Sequence, residues 1–399
     1  MRFVQNIIND INTLCYPLKM RLLASFLQKL VTEGMIPFVM MFLVLQEGEF
    51  LAGAIAFAIL ALGTFFNGYG GKAVASQNIK NALIWGEFVQ FIAVLLMAIF
   101  VNSIVFILLY LLKNVIFSYL VPFGEVFVFE LTTNENRAVL YQLSGLMNGL
   151  AAPLGALLGG FFYSYGLNIL IYVLSAFSFL IFLLYFFGFA QLSHNRLAGQ
   201  STDSQAKTPT KNNQFSRILD DKSATYLLLS SVFIHSLFFS LSQFLPAYLS
   251  GLNNGSQLLS FSRTISGVVV LVAGLALLGF IKKIARYTTM LWTTFLYGLL
   301  FVLLFLVIDN EYLFYMVSAL VIVFYFVSVV GIKTIYANGI GDKNAGIYLS
   351  AFSLTGRAGN IIAALILMIS GFVGYGGTVG ILALFATLAT GWLLLAKTA

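Results

Sequence analysis

Long apolar runs separated by short polar turns make up most of the sequence. Each run is close to or above the roughly 20 residues that a helix needs to cross the hydrocarbon core of a bilayer. The pattern predicts an all-α polytopic membrane protein. Its twelve predicted transmembrane helices are residues 20–45, 49–69, 79–101, 104–130, 138–163, 167–190, 224–249, 256–281, 287–308, 312–338, 345–370 and 375–396.

The composition excludes an arrangement of several soluble domains. Hydrophobic residues make up 60% of the 399 residues and charged residues only 9%, against roughly 45–50% and 25% in an average globular protein. So few charges cannot cover the surface of a soluble protein of this length, so most of the surface must face lipid. Cys15 is the only cysteine, which excludes an internal disulfide framework and a cysteine-based metal cluster.

One polar segment, residues 191–222, interrupts the apolar pattern. It is rich in Ser, Thr, Asn, Gln and Lys, and it has too little apolar content to fold on its own. We interpret it as a cytoplasmic linker between six predicted spans in residues 20–190 and six in residues 223–399. This layout is typical of a transporter built from two parallel halves.

The first 19 residues are predicted to lie on the membrane surface. Apolar positions recur there at helical spacing, with asparagines and an aspartate on the other side, which favours an amphipathic helix on the inner leaflet. A disordered tail is the alternative. The apolar positions are Phe3, Val4, Ile7, Ile8, Ile11 and Leu14.

Of the 21 lysines and arginines, 16 lie on one side of the membrane in the predicted topology. The predicted outer loops contain none of them, and such an imbalance in short loops sets orientation. The sequence therefore predicts a multi-pass protein of the cytoplasmic membrane with both termini in the cytoplasm. The bases in predicted cytoplasmic segments are Arg2, Lys19, Arg21, Lys72, Lys80, Arg137, Arg196, Lys207, Lys211, Arg217, Lys222, Lys282, Lys283, Arg286, Lys343 and Lys397.

Glycines recur along the predicted fifth span, at Gly145, Gly149, Gly155 and Gly159, with Pro153 between them. Glycines four residues apart line one face of a helix and allow another helix to approach closely. The proline opens a gap in the backbone ladder that neighbouring helices can satisfy. On physical grounds alone, this run predicts a tight helix-packing face.

The same run resembles the glycine-proline motif in the fifth helix of the drug:proton antiporters of the major facilitator superfamily, with Ala152 where that motif has a glycine. The segment from Glu130 to Arg137 resembles the junction of helices four and five in that superfamily, and Ile36-Pro37-Phe38 resembles an element of Gram-positive drug exporters. Between helices two and three, Ala75 replaces the family's aspartate. The resemblance implies alternating access by two six-helix halves, with the glycine run as a conformational motif.

Charged residues inside the predicted spans are the main candidates for function. An ionisable group at the bilayer centre costs at least about 2.5–3.5 kcal/mol, so each should face a cavity or a partner. His235 could titrate near neutrality, although a lone membrane histidine is more often a satisfied polar contact. The candidates are Lys29, Lys113, Arg263, Lys333, Arg357, Glu33, Glu87 and Glu125, with Glu130 at an inner boundary.

Lys29 and Glu33 are four residues apart and share one helix face. They either neutralise each other as an internal ion pair, or Glu33 exchanges a proton or a cationic substrate with a central cavity. A carboxylate in a low-dielectric site can carry a proton at neutral pH.

Lys113 and Glu125 lie on the predicted fourth span, with Lys113 near the position where the family often carries an arginine associated with proton coupling. Glu125 is interpreted as the partner of Lys333 or as a second carboxylate of a proton relay. Arg263 and Arg357 have no acid in any span of their own half, so we expect them to reach first-half carboxylates or an anionic ligand group. Glu87 is interpreted as an interfacial or inter-helix contact.

The leading functional interpretation is a proton-coupled exporter of lipophilic or amphiphilic compounds, similar to multidrug efflux proteins. The alternatives are a flippase for a lipid or a lipid-linked sugar and a transporter of an anionic amphiphile, since embedded bases outnumber embedded acids. An enzyme is disfavoured because His194 and His235, the two histidines, form no cluster with carboxylates. A phosphate-binding glycine loop is absent, which argues against ATP-driven transport.

These interpretations also define the expected partners. We expect a monomer that binds a small amphiphilic substrate, protons and membrane lipids, and that binds no nucleic acid. No metal or organic cofactor is expected, and a proton gradient is the expected driving force.

Overall fold

The computed structural model describes residues 14–74, 76–132, 134–189, 221–277, 286–338 and 345–398. The described residues form α-helices and no strand. Most of the predicted amphipathic segment at 1–19 and of the predicted linker at 191–222 lies outside them. The helices are α1 (Tyr16–Ala73), α2 (Ile79–Ile99), α3 (Ile104–Leu131), α4 (Asn134–Tyr163), α5 (Leu167–Gly188), α6 (Lys222–Ser250), α7 (Gly255–Leu277), α8 (Tyr287–Leu306), α9 (Glu311–Asn338) and α10 (Ala345–Thr398).

Two of these helices are interrupted by a glycine turn. Gly48 in α1 has φ 79° and Gly374 in α10 has φ 69°, a left-handed conformation that side chains with a Cβ rarely adopt. α1 has 58 residues and α10 has 54. Each is long enough for two crossings, one on each side of its glycine. The predicted turns at 46–49 and 374–377 therefore contain the two glycines at which these helices are interrupted.

The predicted fold class is confirmed. Nine described helices, all except α4, are long and apolar enough to cross a membrane, and α4 occupies the position of the predicted fifth span. With α1 and α10 counted as two crossings each, the described chain contains the twelve transmembrane helices that the apolar runs predict.

Polar residues in the short turns begin several of the helices. The Asn78 side chain accepts a hydrogen bond from the Asn81 amide at the start of α2. Asp221 accepts one from the Ala224 amide at the start of α6. These side chains satisfy backbone donors that have no partner within the helix.

The described helices pack into two compact units. The first unit comprises residues 1–39 and 58–206, and the second comprises residues 40–57 and 207–399. In the first unit α2 packs on α3 and α5, and in the second α6 packs along α10. The large buried side chains of both cores are predominantly aromatic, among them Phe38, Phe106, Phe123, Phe127, Tyr185, Phe244, Tyr297, Phe301 and Phe314.

Residues 40–57, around the first glycine turn, pack within the second unit. The rings of Phe50 and Phe372 lie 5.3 Å apart. The Tyr375 hydroxyl donates to Glu49 Oε1 at 2.9 Å and to the carbonyl of Ala247 at 3.1 Å. This contact joins a segment that precedes the predicted linker to helices that follow it.

Candidate functional site

A cavity of about 610 Å³ lies within the first unit, between α1, α3 and α4. Its wall combines two bases and one acid with amides, hydroxyls and apolar side chains. A volume of this size is in the range of small-molecule binding sites, which are mostly apolar with a few convergent polar groups. The lining residues are Arg21, Leu22, Ser25, Gln28, Lys29, Thr32, Phe117, Gly124, Glu125, Val128, Leu140, Ser144 and Asn148.

Arg21 lines this cavity, although its position in the sequence predicts a cytoplasmic segment. Its guanidinium donates to the hydroxyl of Tyr185 on α5 and to Gln28 Oε1 at 3.4 Å. An added Cβ at Gly124 on α3 would lie 2.6 Å from Arg21 Nη2, so this glycine leaves the space that the guanidinium occupies. Arg21 is therefore packed among three helices and also lines the cavity.

Gln28 joins Arg21 to a buried carboxylate on α2. The Gln28 Nε2 amide donates to Glu87 Oε1 at 2.5 Å, while its Oε1 accepts from Arg21. Arg21 and Gln28 are seven residues apart, so the 3.6-residue period places them on one face of α1. That spacing is the signal in the sequence that could have identified the pair.

Glu87 lies beside a second, smaller cavity of about 20 Å³. Glu87 is 5% exposed, Gln90 is 6% exposed and Lys113 is 6% exposed, and all three line this cavity. Gln90 Nε2 is buried and has no hydrogen-bond partner among the described residues. The cavity is large enough for one water molecule, and its lining offers the polar partners that such a water needs.

Lys29 and Glu33 form the ion pair that their spacing predicts. Lys29 Nζ lies 2.7 Å from Glu33 Oε1. The side chains are 39% and 25% exposed, and Lys29 lines the larger cavity whereas Glu33 is not among the lining residues of either cavity. The pair is thus less buried than Glu87 and Lys113.

The Glu33→Gln variant should fold and retain most of its gradient-driven transport. Partial exposure lets water solvate the Lys29 ammonium that the change leaves behind, so the loss of stability should stay near the 0–1 kcal/mol of an exposed pair rather than the roughly 3–5 kcal/mol of a buried one. Expression level, thermal unfolding in detergent and pH-gradient-driven uptake in liposomes measure this.

The double variant Lys29→Met/Glu33→Gln is the control, because both charges leave together. It should match the single variant in expression and thermal unfolding, whereas its uptake of an anionic probe should be lower because Lys29 lines the larger cavity. A single variant that binds substrate but no longer responds to the pH gradient would move the proton-exchanging role to Glu33.

Comparison with known proteins identifies the family. The sequence profile of the Major Facilitator Superfamily matches residues 21–364. The chain belongs to the major facilitator superfamily. No curated protein matches the chain. The comparison therefore rests on the family profile and on solved structures.

Solved structures of major facilitator transporters share the fold. A bacterial homologue of the iron transporter ferroportin, in an inward-facing state, has a TM-score of 0.73 at 15% identity, covering 96% of this chain and 99% of that one. The nucleoside transporter NupG has a TM-score of 0.71 at 12% identity, covering 96% and 98%. A peptide transporter POT in complex with sulfate has a TM-score of 0.69 at 13% identity, covering 96% and 93%.

The glycine run of this major facilitator transporter lies on α4, against α1. An added Cβ at Gly155 would lie 2.4 Å from the carbonyl oxygen of Leu30, and one at Gly159 would lie 2.4 Å from Phe38 Cε2 and 2.8 Å from the carbonyl oxygen of Gly34. Pro153 lies within α4 between Gly149 and Gly155. The packing around Gly145 is not among the described features. Gly155 and Gly159 form a close helix contact, and the conformational role of the run stays a prediction.

The other first-half candidates occupy different positions on α3. Glu125 lines the larger cavity and interacts electrostatically with Arg21. Lys113 lies over the ring of Phe117, with Nζ 5.6 Å from the centroid. Glu130 is exposed at the end of the helix, away from both cavities. The pairing of Glu125 with Lys333, which belongs to the second unit, stays a prediction.

The second-half candidates lie on four helices of the second unit. Arg263 on α7 donates to the carbonyl of Leu241 on α6, so one of its bonds goes to backbone of its own half. Lys333 and Arg357 are exposed on α9 and α10. His235 is buried, with Nδ1 2.7 Å from the carbonyl oxygen of Ser231, and its ring lies among aromatic rings contributed by Phe239, Tyr325 and Phe352.

Proposed function

We propose that this major facilitator transporter is a proton-coupled secondary transporter of amphiphilic compounds that works by alternating access. The observation that carries the proposal is the cavity of about 610 Å³, where apolar side chains stand beside Arg21, Lys29 and Glu125. Such a wall can bind a molecule with an apolar body and a charged or polar head group. The buried ionisable groups next to the cavity supply candidates for proton exchange.

Two substrate classes fit this cavity. Export of lipophilic or cationic compounds, as in multidrug efflux, would use the apolar wall and Glu125. Transport of an anionic amphiphile, including the flipping of a lipid or lipid-linked sugar, would use Arg21 and Lys29. The excess of bases over acids in the lining favours the second class. The related structures do not decide between the two, because likeness at 12–15% identity extends to the fold alone.

Reconstitution in liposomes with an imposed pH gradient tests the proposal. Uptake of a cationic dye is compared with uptake of a fluorescent anionic lipid, in vesicles with and without the gradient. We expect gradient-dependent movement of at least one probe and faster movement of the anionic one. Equal rates with and without the gradient for both probes would contradict proton coupling.

The proposed topology places both termini in the cytoplasm and the protein, as a monomer, in the cytoplasmic membrane. Reporter fusions after residues 46, 102, 165, 252, 310 or 374 should report outside, because the predicted outer loops carry no lysine or arginine and basic loops are retained inside. Fusions within 191–222 should report inside. Cleavage of the 191–222 segment by protease added to intact cells would contradict this orientation.

A further inference from the structure

The two cavities of the first unit share a wall. Gln28, Thr32 and Phe117 line both of them. On the side of the smaller cavity, Gln28 donates to Glu87, and on the side of the larger cavity it accepts from Arg21. One amide therefore connects a buried carboxylate to a cation that a bound molecule can reach.

Three acids and three bases either line the two cavities or pair with a lining residue. When all six groups are ionised, three negative and three positive charges cancel, and uptake of one proton leaves a net positive charge. In a low-dielectric site that charge favours an anion and disfavours a second cation. The six groups are Glu33, Glu87 and Glu125 with Arg21, Lys29 and Lys113.

We propose that Glu87 is the proton-exchanging carboxylate of this transporter, and that Gln28 couples its protonation to the binding of an anionic head group by Arg21. This inference rests on the proposed function and names its coupling residue and its substrate class. Glu87 is preferred to Glu33 because it lines the water-sized cavity and is hydrogen-bonded to Gln28, whereas Glu33 is paired with Lys29 one helical turn away.

The donors and acceptors of Gln28 explain the coupling. Ionised Glu87 only accepts hydrogen bonds, so it holds the amide nitrogen of Gln28 and leaves the amide oxygen for Arg21. A proton bound to one oxygen of Glu87 makes that oxygen a donor, and Gln28 can then turn its own oxygen towards Glu87. The amide nitrogen of Gln28 would then face the guanidinium of Arg21, and these two groups cannot bond to each other because both are donors. Arg21 loses an acceptor and can offer that N–H to a carboxylate or phosphate, which its planar fork fits.

The groups that face Glu87 come from three further helices. Arg21 and Gln28 approach it from α1 and Lys113 from α3, and both cations interact with it electrostatically. On α5, Ser178 lines the same small cavity and Tyr185 accepts from Arg21. Lys113 is itself a buried ionisable group of this small cavity, so it is the second group at the site that can exchange a proton.

The test measures the affinity of an anionic probe at pH 5.5 to 8.5 in the purified full-length protein. The probes are fluorescent phosphatidylglycerol and glycerol phosphate, which share the phosphate and differ in the acyl chains. The wild-type affinity for at least one probe should rise about tenfold as pH falls, within the usual 5–150-fold range of coupling between two sites. If only the lipid binds, the ligand of the cavity is an amphiphile. If both probes bind equally well, the ligand is an anion that needs no acyl chain.

Glu87→Gln is the decisive variant, because glutamine keeps the shape of the side chain and removes the titrating proton. It should bind the probe equally well across the pH range and lose gradient-driven accumulation while retaining exchange of probe across the membrane. Glu47→Gln, the same change at an exposed outer carboxylate, should behave as wild type. Wild-type pH dependence in Glu87→Gln, or its loss in Glu33→Gln instead, would overturn the inference.

Gln28→Leu separates coupling from protonation and keeps Glu87 in place if the first variant folds poorly. Because Gln28 lines the larger cavity, the readout is the pH dependence rather than the absolute affinity, and most of the pH dependence of probe binding should be lost. Infrared difference spectra provide a readout without any substrate, since a protonated carboxyl band that titrates in wild type should vanish in Glu87→Gln. A titrating band without transport of either probe would refute the proposed function alone, whereas transport with no change of this band in Glu87→Gln would refute the role of Glu87.

Discussion

Gly159→Leu should prevent accumulation of the folded transporter. Even the Cβ of a new side chain would lie 2.4 Å from Phe38 Cε2 and 2.8 Å from the carbonyl oxygen of Gly34. The ring could turn aside, but the carbonyl belongs to the backbone of α1, so α1 and α4 would have to separate. The cost should reach or exceed about 3 kcal/mol, the upper end of the usual penalty for overpacking. Monodisperse yield in fluorescence-detected size-exclusion chromatography measures the outcome.

Gly68→Leu is the matched control, because Gly68 is also a helical glycine of the first unit. Apart from its own helix turn, no heavy atom of the described residues lies within 4 Å of its Cβ position. Gly68→Leu should give the wild-type yield. Gly159→Ala should fall between the two, because it adds only the Cβ. If Gly159→Leu folded with normal yield and lost only transport, the glycine run would have a conformational rather than a packing role.

The helices were predictable because each depends on a local pattern. Apolar runs of about 20 residues and the polar turns between them give the helices in order. The glycine run on α4 likewise identifies its own packing face, since a spacing of four residues is a property of one helix. The Lys29–Glu33 pair was predictable for the same reason, as both residues lie on α1.

The relation of Arg21 to Glu87 was not predictable in this way. Gln28 and Glu87 are 59 residues apart in the chain, and Arg21 and Tyr185 are 164 apart, so tertiary packing alone brings these groups together. Arg21 also lies near the start of α1, where a base has the same sequence pattern as the flanking charges that orient a membrane protein. Counting charges by segment therefore places it at the surface.

The packing of residues 40–57 depends on a contact that no local pattern identifies. The polar linker is the only break in composition, so the sequence divides the chain there. Gly53, however, lies in the part of α1 that follows Gly48, and it lets this part approach the backbone of α10 closely at Met368. A single glycine in an apolar run has no distinguishing signal until its neighbour in space is known.

Gly53→Leu should open this contact while leaving the helices folded. Its Cβ would lie 2.6 Å from the Met368 nitrogen and 3.0 Å from its Cα, so α10 backbone would have to move. If residues 40–57 separate from α10 during the proposed alternating access, the variant should favour the state in which this contact is open. A penalty of at least about 1.4 kcal/mol raises the open population about tenfold.

Cysteine labelling measures that population. Ala52 is fully buried beside Gly53, so Ala52→Cys in a Cys15→Ser background reports opening through the rate of thiol modification. Adding Gly53→Leu should raise that rate about tenfold, in line with the population shift. Gly380→Leu should leave the rate unchanged. Gly380 belongs to the second unit, and apart from its own helix turn no heavy atom of the described residues lies within 4 Å of its Cβ position. An unchanged rate in Gly53→Leu, together with normal transport, would show that residues 40–57 are not tightly packed on α10 during the cycle.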